Sequence, residues 1–467
     1  MRRDLSLGDE DGSAHDQEEF VTGSEDAMAS EFASLYRHLF QFTPGLGWMR
    51  CGTDHWARDE HLTAYDCARQ VAHNHALDIM TATANGEPNA KSTATARGIA
   101  SSKSVNGLLA LAKSDPVFVL SAKEWDVDPF EFNTPGGIVD LRTGDIHRRG
   151  ETSYFTQLAR VAPNFEGECP VWLRFLDEVF QGDEDLVEFM QRLIGYTLTG
   201  DRREQKIFFM HGQGANGKST LWDFVAWLAG TYFLKLPAHV LMHTQYTGHP
   251  TELAQLLGKR LAISSEIEEG NYWAEARIKE LSGDQTLSAR FMRQDFFEFS
   301  QTQKHVIVGN YKPRMKGHDT ALARRFVLVP FLAKFTGANR DNRMLEKLRA
   351  EAGAVLAWAI RGAVKWHSDG LAVPASVSDA SRDYMAENDD LQAWLDECCV
   401  VIADARCKAT PLYNSYLGWT KARGQHAPSM RLWADRMSAL PGVAKRKNSD
   451  GVMVYQGVGL KAAEETR

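Results

Sequence analysis

The sequence predicts an α/β protein with a phosphate-loop ATPase core, preceded by a mixed α/β domain and followed by a small helical and hairpin domain. Two observations carry that fold class. The stretch Gly212 to Ser219, GQGANGKS, fits G-x-x-x-x-G-K-[ST] at every fixed position. Short apolar runs at Lys206–Phe209, Arg260–Ser264, His305–Val308 and Phe326–Phe331 alternate with helical stretches, as in a parallel layer. The chain has 467 residues, which suits about three domains.

Composition narrows the class. Hydrophobic residues make up 43% and charged residues 24%, an ordinary globular balance that excludes a wholly disordered chain. The net charge of -8 excludes a histone-like wrapper and leaves room for local basic patches. Six cysteines without a CxxC pair do not make a disulfide scaffold, so a reducing, cytoplasmic compartment is expected. No apolar run approaches the roughly 18 residues of a membrane span, and no signal peptide follows Arg2 and Arg3.

In chain order, residues 1–30 are rich in Asp, Glu, Ser and Gly and predict a disordered acidic tail. Residues 31–165 predict the N-terminal α/β domain. Helical stretches at Ala64–Ala84 and Gly107–Ala112 precede a hairpin, GGIVDLRTGDIHRR, turning at Thr143-Gly144. Residues 166–370 predict the ATPase domain. A helical block opens it from Pro170 to Leu198, and a long helix from Asn342 to His367 closes it near Gly370. Residues 371–467 start with a helix from Ser376 to Val400 and end in short helices and one hairpin.

The phosphate loop follows a short strand (Ile207 to Met210) and precedes a helix-compatible run (Leu221, Phe224, Val225, Leu228). Gly212, Gly214 and Gly217 let the backbone curl so that amide N–H groups point at phosphate oxygens. The helix N-terminus adds its positive end. Lys218 would reach the β- and γ-phosphates, and Ser219 would offer its hydroxyl to Mg²⁺. The expected ATP-binding residues are Gly212, Gln213, Gly214, Ala215, Asn216, Gly217, Lys218, Ser219 and Thr220.

A second strand should deliver a carboxylate to the metal or the attacking water. In GKRLAISSEIEEG, Glu266 is the first choice and Glu268 the second; the bland alternative is a solvated acidic turn. HVIVGN ends in Asn310, placed to orient the water as a sensor, although Asn is also a common turn residue. Arg324 and Arg325 precede the next strand. A guanidinium there could act as an arginine finger on a neighbour's ATP, or simply sit at a helix C-terminus where the dipole favours it.

This ordered set resembles a superfamily 3 helicase, and more narrowly the helicase portion of the phage/plasmid and poxvirus-type primase–helicase family. The residues that carry the resemblance are FNTPGGIVDLRTG, CPVWLRFLDEVF, LIGYTLTG, GQGANGKST, GKRLAISSEIEEG, GNYKPRMKGHDTALARRF and LYNSYLGWTKARGQ, from about Gly45 onward. It implies an AAA+ type core, a homo-hexameric ring and ATP hydrolysis between subunits with DNA in the channel. It further implies that Lys218 and Ser219 act in cis, and that Arg325, with Arg324 beside it, and Lys279 act in trans. SARFMRQDFFEFS resembles the pore hairpin, with strands Ser288–Phe291 and Phe296–Phe299; Arg290 and Arg293 would meet phosphates there, or form an ordinary charged edge. Unlike better-known members, which show two adjacent carboxylates, this chain has Ser265 before Glu266. The stretch ahead of Gly45 is too short for a polymerase-type domain, so a separate primase or polymerase is expected to supply primers.

From Leu391 the pattern is three helices and a hairpin, VAKRKNSDGVMVYQGV, with Asp450-Gly451 at the turn. This resembles a winged-helix module. Arg431 and Arg436 would lie on its third helix, and Lys445, Arg446 and Lys447 on the wing, suited to duplex DNA; a dimerisation or docking domain is the alternative. His55, His61, His73 and His75 cluster near Cys67 at spacings that fit no familiar zinc site. The functional expectation is an ATP-dependent replicative DNA helicase of a phage, plasmid or integrated element, acting on single- and double-stranded DNA. Its rivals are a ring ATPase that remodels a protein partner and an ATP-dependent origin-binding initiator that does not unwind.

Overall fold

The computed structural model describes residues 23–82, 89–150, 153–244, 250–265, 269–292, 296–315, 320–387, 390–423, 427–438, 440–447 and 451–461. Five parallel strands form the central sheet: β1 (Ile207–His211), β2 (Phe233–Lys235), β3 (Leu261–Ser265), β4 (Lys304–Gly309) and β5 (Phe326–Pro330). Their order is β5-β1-β4-β3-β2. Ile207 stands opposite both His305 and Phe326, and His211 opposite Gly309 and Pro330. The expected parallel layer is therefore present. Its strands are unbroken apolar runs because both faces are covered. Phe208, Met210, Val306, Val308, Val327 and Val329 join one core with Trp172, Phe224 and Ile360 of the flanking helices.

Two of the expected helical stretches are broken, each for a local reason. The block from Pro170 splits into Pro170–Phe180 and Glu184–Leu198, because Gln181 (φ 56°) and Gly182 (φ 80°) turn left-handed. The long helix splits into Met344–Ala350 and Ala352–Asp369. Glu351 lies at the break, and its carboxylate accepts the N–H groups of Val171 and Trp172, each at 3.0 Å. It thereby serves the first turn of the Pro170 helix, whose N-terminal amides lack carbonyl partners. Of the helix expected over Ser376–Val400, the described residues form Ala375–Glu387 and Asp390–Cys398, with 388–389 outside them.

The chain divides into two compact units, the first made of the residues up to Trp125 with Tyr154–Thr156 and Arg293–Phe297. The hairpin that begins at Glu131 packs Phe132, Val139 and Leu141 into the ATPase core. The Tyr232 hydroxyl accepts the Asn133 N–H at 2.9 Å. Ahead of Trp125, a helix starts at Glu25, inside the stretch read as tail, with Ser24 Oγ accepting the Ala27 N–H. That helix buries Met28 and Phe32 against Phe40 and Phe118.

The chain does not leave the second unit's core at residue 370. Val377 belongs to the ATPase core, and the buried Tyr384 hydroxyl donates to Pro313 O while accepting from Trp273 Nε1. A separate C-terminal core begins only at Leu391 and gathers Trp394, Leu412, Tyr416, Trp433 and Tyr455. Helices Asp390–Cys398, Ala409–Ala422 and Met430–Ser438 surround a three-stranded sheet in which Met453–Gln456 lies between Arg406–Lys408 and Ala444–Lys447. Among the described residues no helix is long and apolar enough to cross a membrane.

Helices Glu184–Leu198 and Ala352–Asp369 pack at van der Waals contact through paired glycines. A Cβ on Gly362 would fall 2.1 Å from Gln191 O, and one on Gly195 2.1 Å from Ala363 N. Gly362→Ala should cost about 1–3 kcal/mol through overpacking, measured as a lower urea midpoint with an unchanged slope.

Candidate functional site

β1 ends at His211, and the chain then curls through Gly212–Gly217 into the helix Lys218–Ala229. Gly214, Ala215 and Gly217 all have positive φ (82°, 48° and 84°). A Cβ on Gly217 would meet Val179 Cγ2 at 2.6 Å, and one on Gly212 would meet Phe331 O at 2.4 Å. Two bonds pin the loop to the segment after β5: Asn216 Nδ2 donates to Phe331 O at 3.2 Å, and the Phe335 N–H donates to Ala215 O at 2.7 Å. Gln213 and Ser219 are exposed, and Thr220 is half-buried.

Lys218 is 3% exposed. Its Nζ donates to Gly212 O at 2.7 Å, to Asn216 Oδ1 at 3.0 Å and to Asn310 Oδ1 at 3.2 Å. All three ammonium protons are thus placed, without a carboxylate. Burial pushes its pKa down to about 8. Asn310 reaches it because β4 and β1 are neighbours in register, so the residue after Gly309 emerges beside the loop. The sequence-predicted Lys218 and Asn310 are thereby brought together. β3 ends at the same edge, with Ser265 opposite Val308. Glu266 and Glu268 follow it and lie outside the described residues, as does Arg293.

A cavity of about 650 Å³ opens over the loop. Beyond Gly214–Thr220 and Asn310 its lining includes Phe175, Phe335, Met344, Leu345 and Arg340, among further charged and polar side chains. Sequence reasoning missed these five. Phe175 carried only a helical core pattern, and the others follow β5 in a segment without a motif.

The other basic residues lie elsewhere. Phe326 pairs with Ile207, so Arg324 and Arg325 sit at the sheet edge opposite the phosphate loop, about 16 Å away at strand rise. Arg324 is exposed. Arg325 is half-buried, and its Nη1 donates to Ala321 O at 2.5 Å. Lys279 is half-buried on the helix Glu275–Gly283. The hairpin strands are Thr286–Ala289 and Phe297–Ser300 rather than Ser288–Phe291 and Phe296–Phe299. The alternation explains the difference: Leu287, Ala289, Phe297 and Phe299 are buried, whereas Met292 and Phe296 are exposed. Arg290 is exposed just past the first strand. In the C-terminal module Arg431 is exposed and Arg436 half-buried, and Lys445, Arg446 and Lys447 are all exposed on an edge strand.

The six cysteines are free thiols. His75 Nε2 meets Glu31 Oε2 at 2.6 Å. Among the described residues no group of three or more His, Cys, Asp or Glu side chains could hold a metal ion.

Comparison with known proteins finds similarity to two families, one relative and several solved structures. A family described as D5 N terminal like matches residues 29–181, and a family of unknown function (DUF5906) matches residues 210–325. The chain is 22% identical over 269 residues to a protein of Acanthamoeba polyphaga mimivirus named "Putative helicase". That match takes in 53% of this chain and 28% of the relative, so the chain spans under a third of that protein's length. Among solved structures, the apo C terminal region of NrS-1 aligns at a TM-score of 0.43 and 12% identity, over 64% of this chain and 78% of that one. Its A form aligns at 0.42 and 12%, over 68% and 88%.

Lys218 also predicts a pH dependence for the empty protein. With the folded pKa near 8 and the unfolded value near 10.5, the unfolded chain binds more protons in that window. Stability contributed at this site therefore rises with pH from about 8 to about 10.5. Lys218→Met should flatten that rise, measured by urea midpoints of the two proteins at pH 7.5, 8.5 and 9.5.

Proposed function

We propose that this chain, which belongs to the phage and viral primase–helicase family, is a replicative DNA helicase that hydrolyses ATP between the subunits of a ring. The observation that carries this is the triple hydrogen bond of Lys218 at the phosphate loop, with Asn310 as one acceptor. A glycine cradle that a Cβ would fill, a buried lysine and a polar strand end on the adjacent strand together suit a nucleoside triphosphate and little else. We read the sheet as an AAA+ core and the C-terminal module as a winged helix.

The residues divide by task. Backbone amides of Gly212–Ser219 hold phosphate oxygens. Lys218 exchanges its three protein acceptors for the β- and γ-phosphate oxygens, which frees Asn310 to orient the attacking water. Ser219 and Glu266 would hold Mg²⁺, which supplies charge neutralisation on the phosphates. The apolar side of the cavity, Phe175, Phe335, Met344 and Leu345, gives the base a dry seat.

Arg324 and Arg325 cannot reach their own loop from the far sheet edge, which supports action on a neighbour's nucleotide. Arg324 is the freer of the two to do so, since Arg325 is turned toward Ala321. Lys279 is assigned the same trans role on resemblance. DNA would meet Arg290 and Arg293 at the hairpin, and Arg431, Arg436 and Lys445–Lys447 in the C-terminal module. A separate primase or polymerase would supply primers.

A second reading has its own observation. Met292 and Phe296 are 69% and 58% exposed beside the hairpin turn, an apolar grip of the kind a protein-remodelling ring uses. ATPase turnover stimulated by single-stranded DNA supports the helicase, and stimulation only by a protein partner supports the rival.

Lys218→Ala should lower ATP hydrolysis and strand separation by at least about a hundredfold, with an unchanged circular dichroism spectrum. Normal unwinding by this variant would end the assignment. Arg324→Ala or Arg325→Ala subunits, each inactive alone, should regain ATPase when mixed with Lys218→Ala subunits, because some seams then carry both an intact loop and an intact arginine. Absence of rescue at every mixing ratio removes the trans role.

A further inference from the structure

Strand β4 joins two places that the function above needs to connect. Its last neighbour, Asn310, touches Lys218. Its other end continues backward through Gln303, Thr302 and Gln301 into the hairpin strand Phe297–Ser300. Only three residues, Gln301–Gln303, separate the hairpin strand from β4.

The joint between strand and hairpin is buried and polar. Gln301, Gln303 and His305 are 5%, 1% and 2% exposed. His305 Nε2 accepts from Gln303 Nε2 at 3.4 Å, and Gln303 Nε2 also donates to Gln301 Oε1 at 2.8 Å. Gln301 Nε2 in turn donates to Asp284 O at 2.8 Å and to Glu280 O at 3.2 Å, at the end of the helix Glu275–Gly283 that leads into the hairpin. Both protons of each amide are spent: Gln303 donates to its neighbours on either side, and Gln301 donates to the helix end. His305 is held neutral by burial, with its pKa near 3, so its ring nitrogen stays an acceptor. Arg202 reinforces the far end, donating to Asp284 O at 2.6 Å and to Leu281 O.

An apolar joint would fill this space as well, but it would not fix register. The amide protons of Gln301 and Gln303 each have an acceptor, whereas His305 Nδ1 has none; slipping the strand against the helix end would leave those amide groups buried and unpaired as well. We propose that Gln301 and Gln303 are positioning residues whose amide ladder fixes the hairpin to the strand that carries Asn310, so that the state of the phosphate site is delivered to the hairpin. The inference rests on the nucleotide site proposed above.

The test is hydrogen–deuterium exchange on the full chain with and without a non-hydrolysable ATP analogue, followed in peptides covering the phosphate loop and the two hairpin strands. In the wild type both regions should change their exchange on adding the analogue. In Gln301→Met the loop should respond as before, while the hairpin response falls about threefold to tenfold. Gln303→Met should do the same and serves if Gln301→Met does not fold. A ladder that only adds stability would lower the melting temperature and leave the nucleotide-dependent difference intact; a hairpin response equal to wild type in a folded variant therefore overturns the proposal. A wild-type hairpin that stays silent while the loop responds also overturns it. A wild-type loop that does not respond at all sinks the nucleotide-site reading itself, and this inference with it.

Discussion

A buried ammonium group with only neutral acceptors organises this protein. Lys218 is held by Gly212, Asn216 and Asn310, three oxygens from three places: the end of β1, the loop itself and the end of β4. Burying a cation without a carboxylate is costly. The cost is met only while those oxygens converge, and convergence requires the strand register, the left-handed loop residues and the packing of Val179 against Gly217. None of the three acceptors carries a charge to offset the ammonium.

The same economy recurs at the opposite edge of the sheet. Lys304 is buried and its Nζ donates to main-chain carbonyls of Thr199, Asp201 and Thr302. Arg260 donates to the carbonyls of Leu198 and Glu131 and lies over the Tyr232 ring at 4.7 Å. Apart from Glu131 O, at the start of a strand, these oxygens belong to a helix C-terminus and loops, where carbonyls lack helical partners and the dipole favours positive charge. Main-chain carbonyls thus replace carboxylates, and the cations fasten the hairpin at Glu131 and the turn after Leu198 to the sheet. Desolvation holds Lys304 well below the usual lysine range.

Much of this was legible in the sequence. The phosphate loop, the parallel layer and Asn310 were readable because each is a local pattern: a glycine spacing, a short apolar run, a polar residue at its end. The breaks in the long helices were not, since Glu351 looks like one more helix-forming residue until its partners at Val171 and Trp172 are known. Phe132 and Tyr384 carry no sign of which core will bury them. The cavity wall at Phe335 and Arg340 follows β5 without any motif, and the Gln301–Gln303 ladder reads as polar loop until its burial is seen.

The Glu351 contact bears on how the chain acquires its shape during synthesis. The amides it satisfies belong to residues 180 and 179 positions earlier. At about 5–20 residues per second a ribosome takes roughly 10–40 s to cover that span. Through that interval the nascent Pro170 segment has its apolar face and its first-turn amides but not the carboxylate that completes them. Such a segment invites either a transient substitute from solvent or a holding chaperone, and any C-terminal truncation ending before this glutamate would strand the core in that unfinished condition.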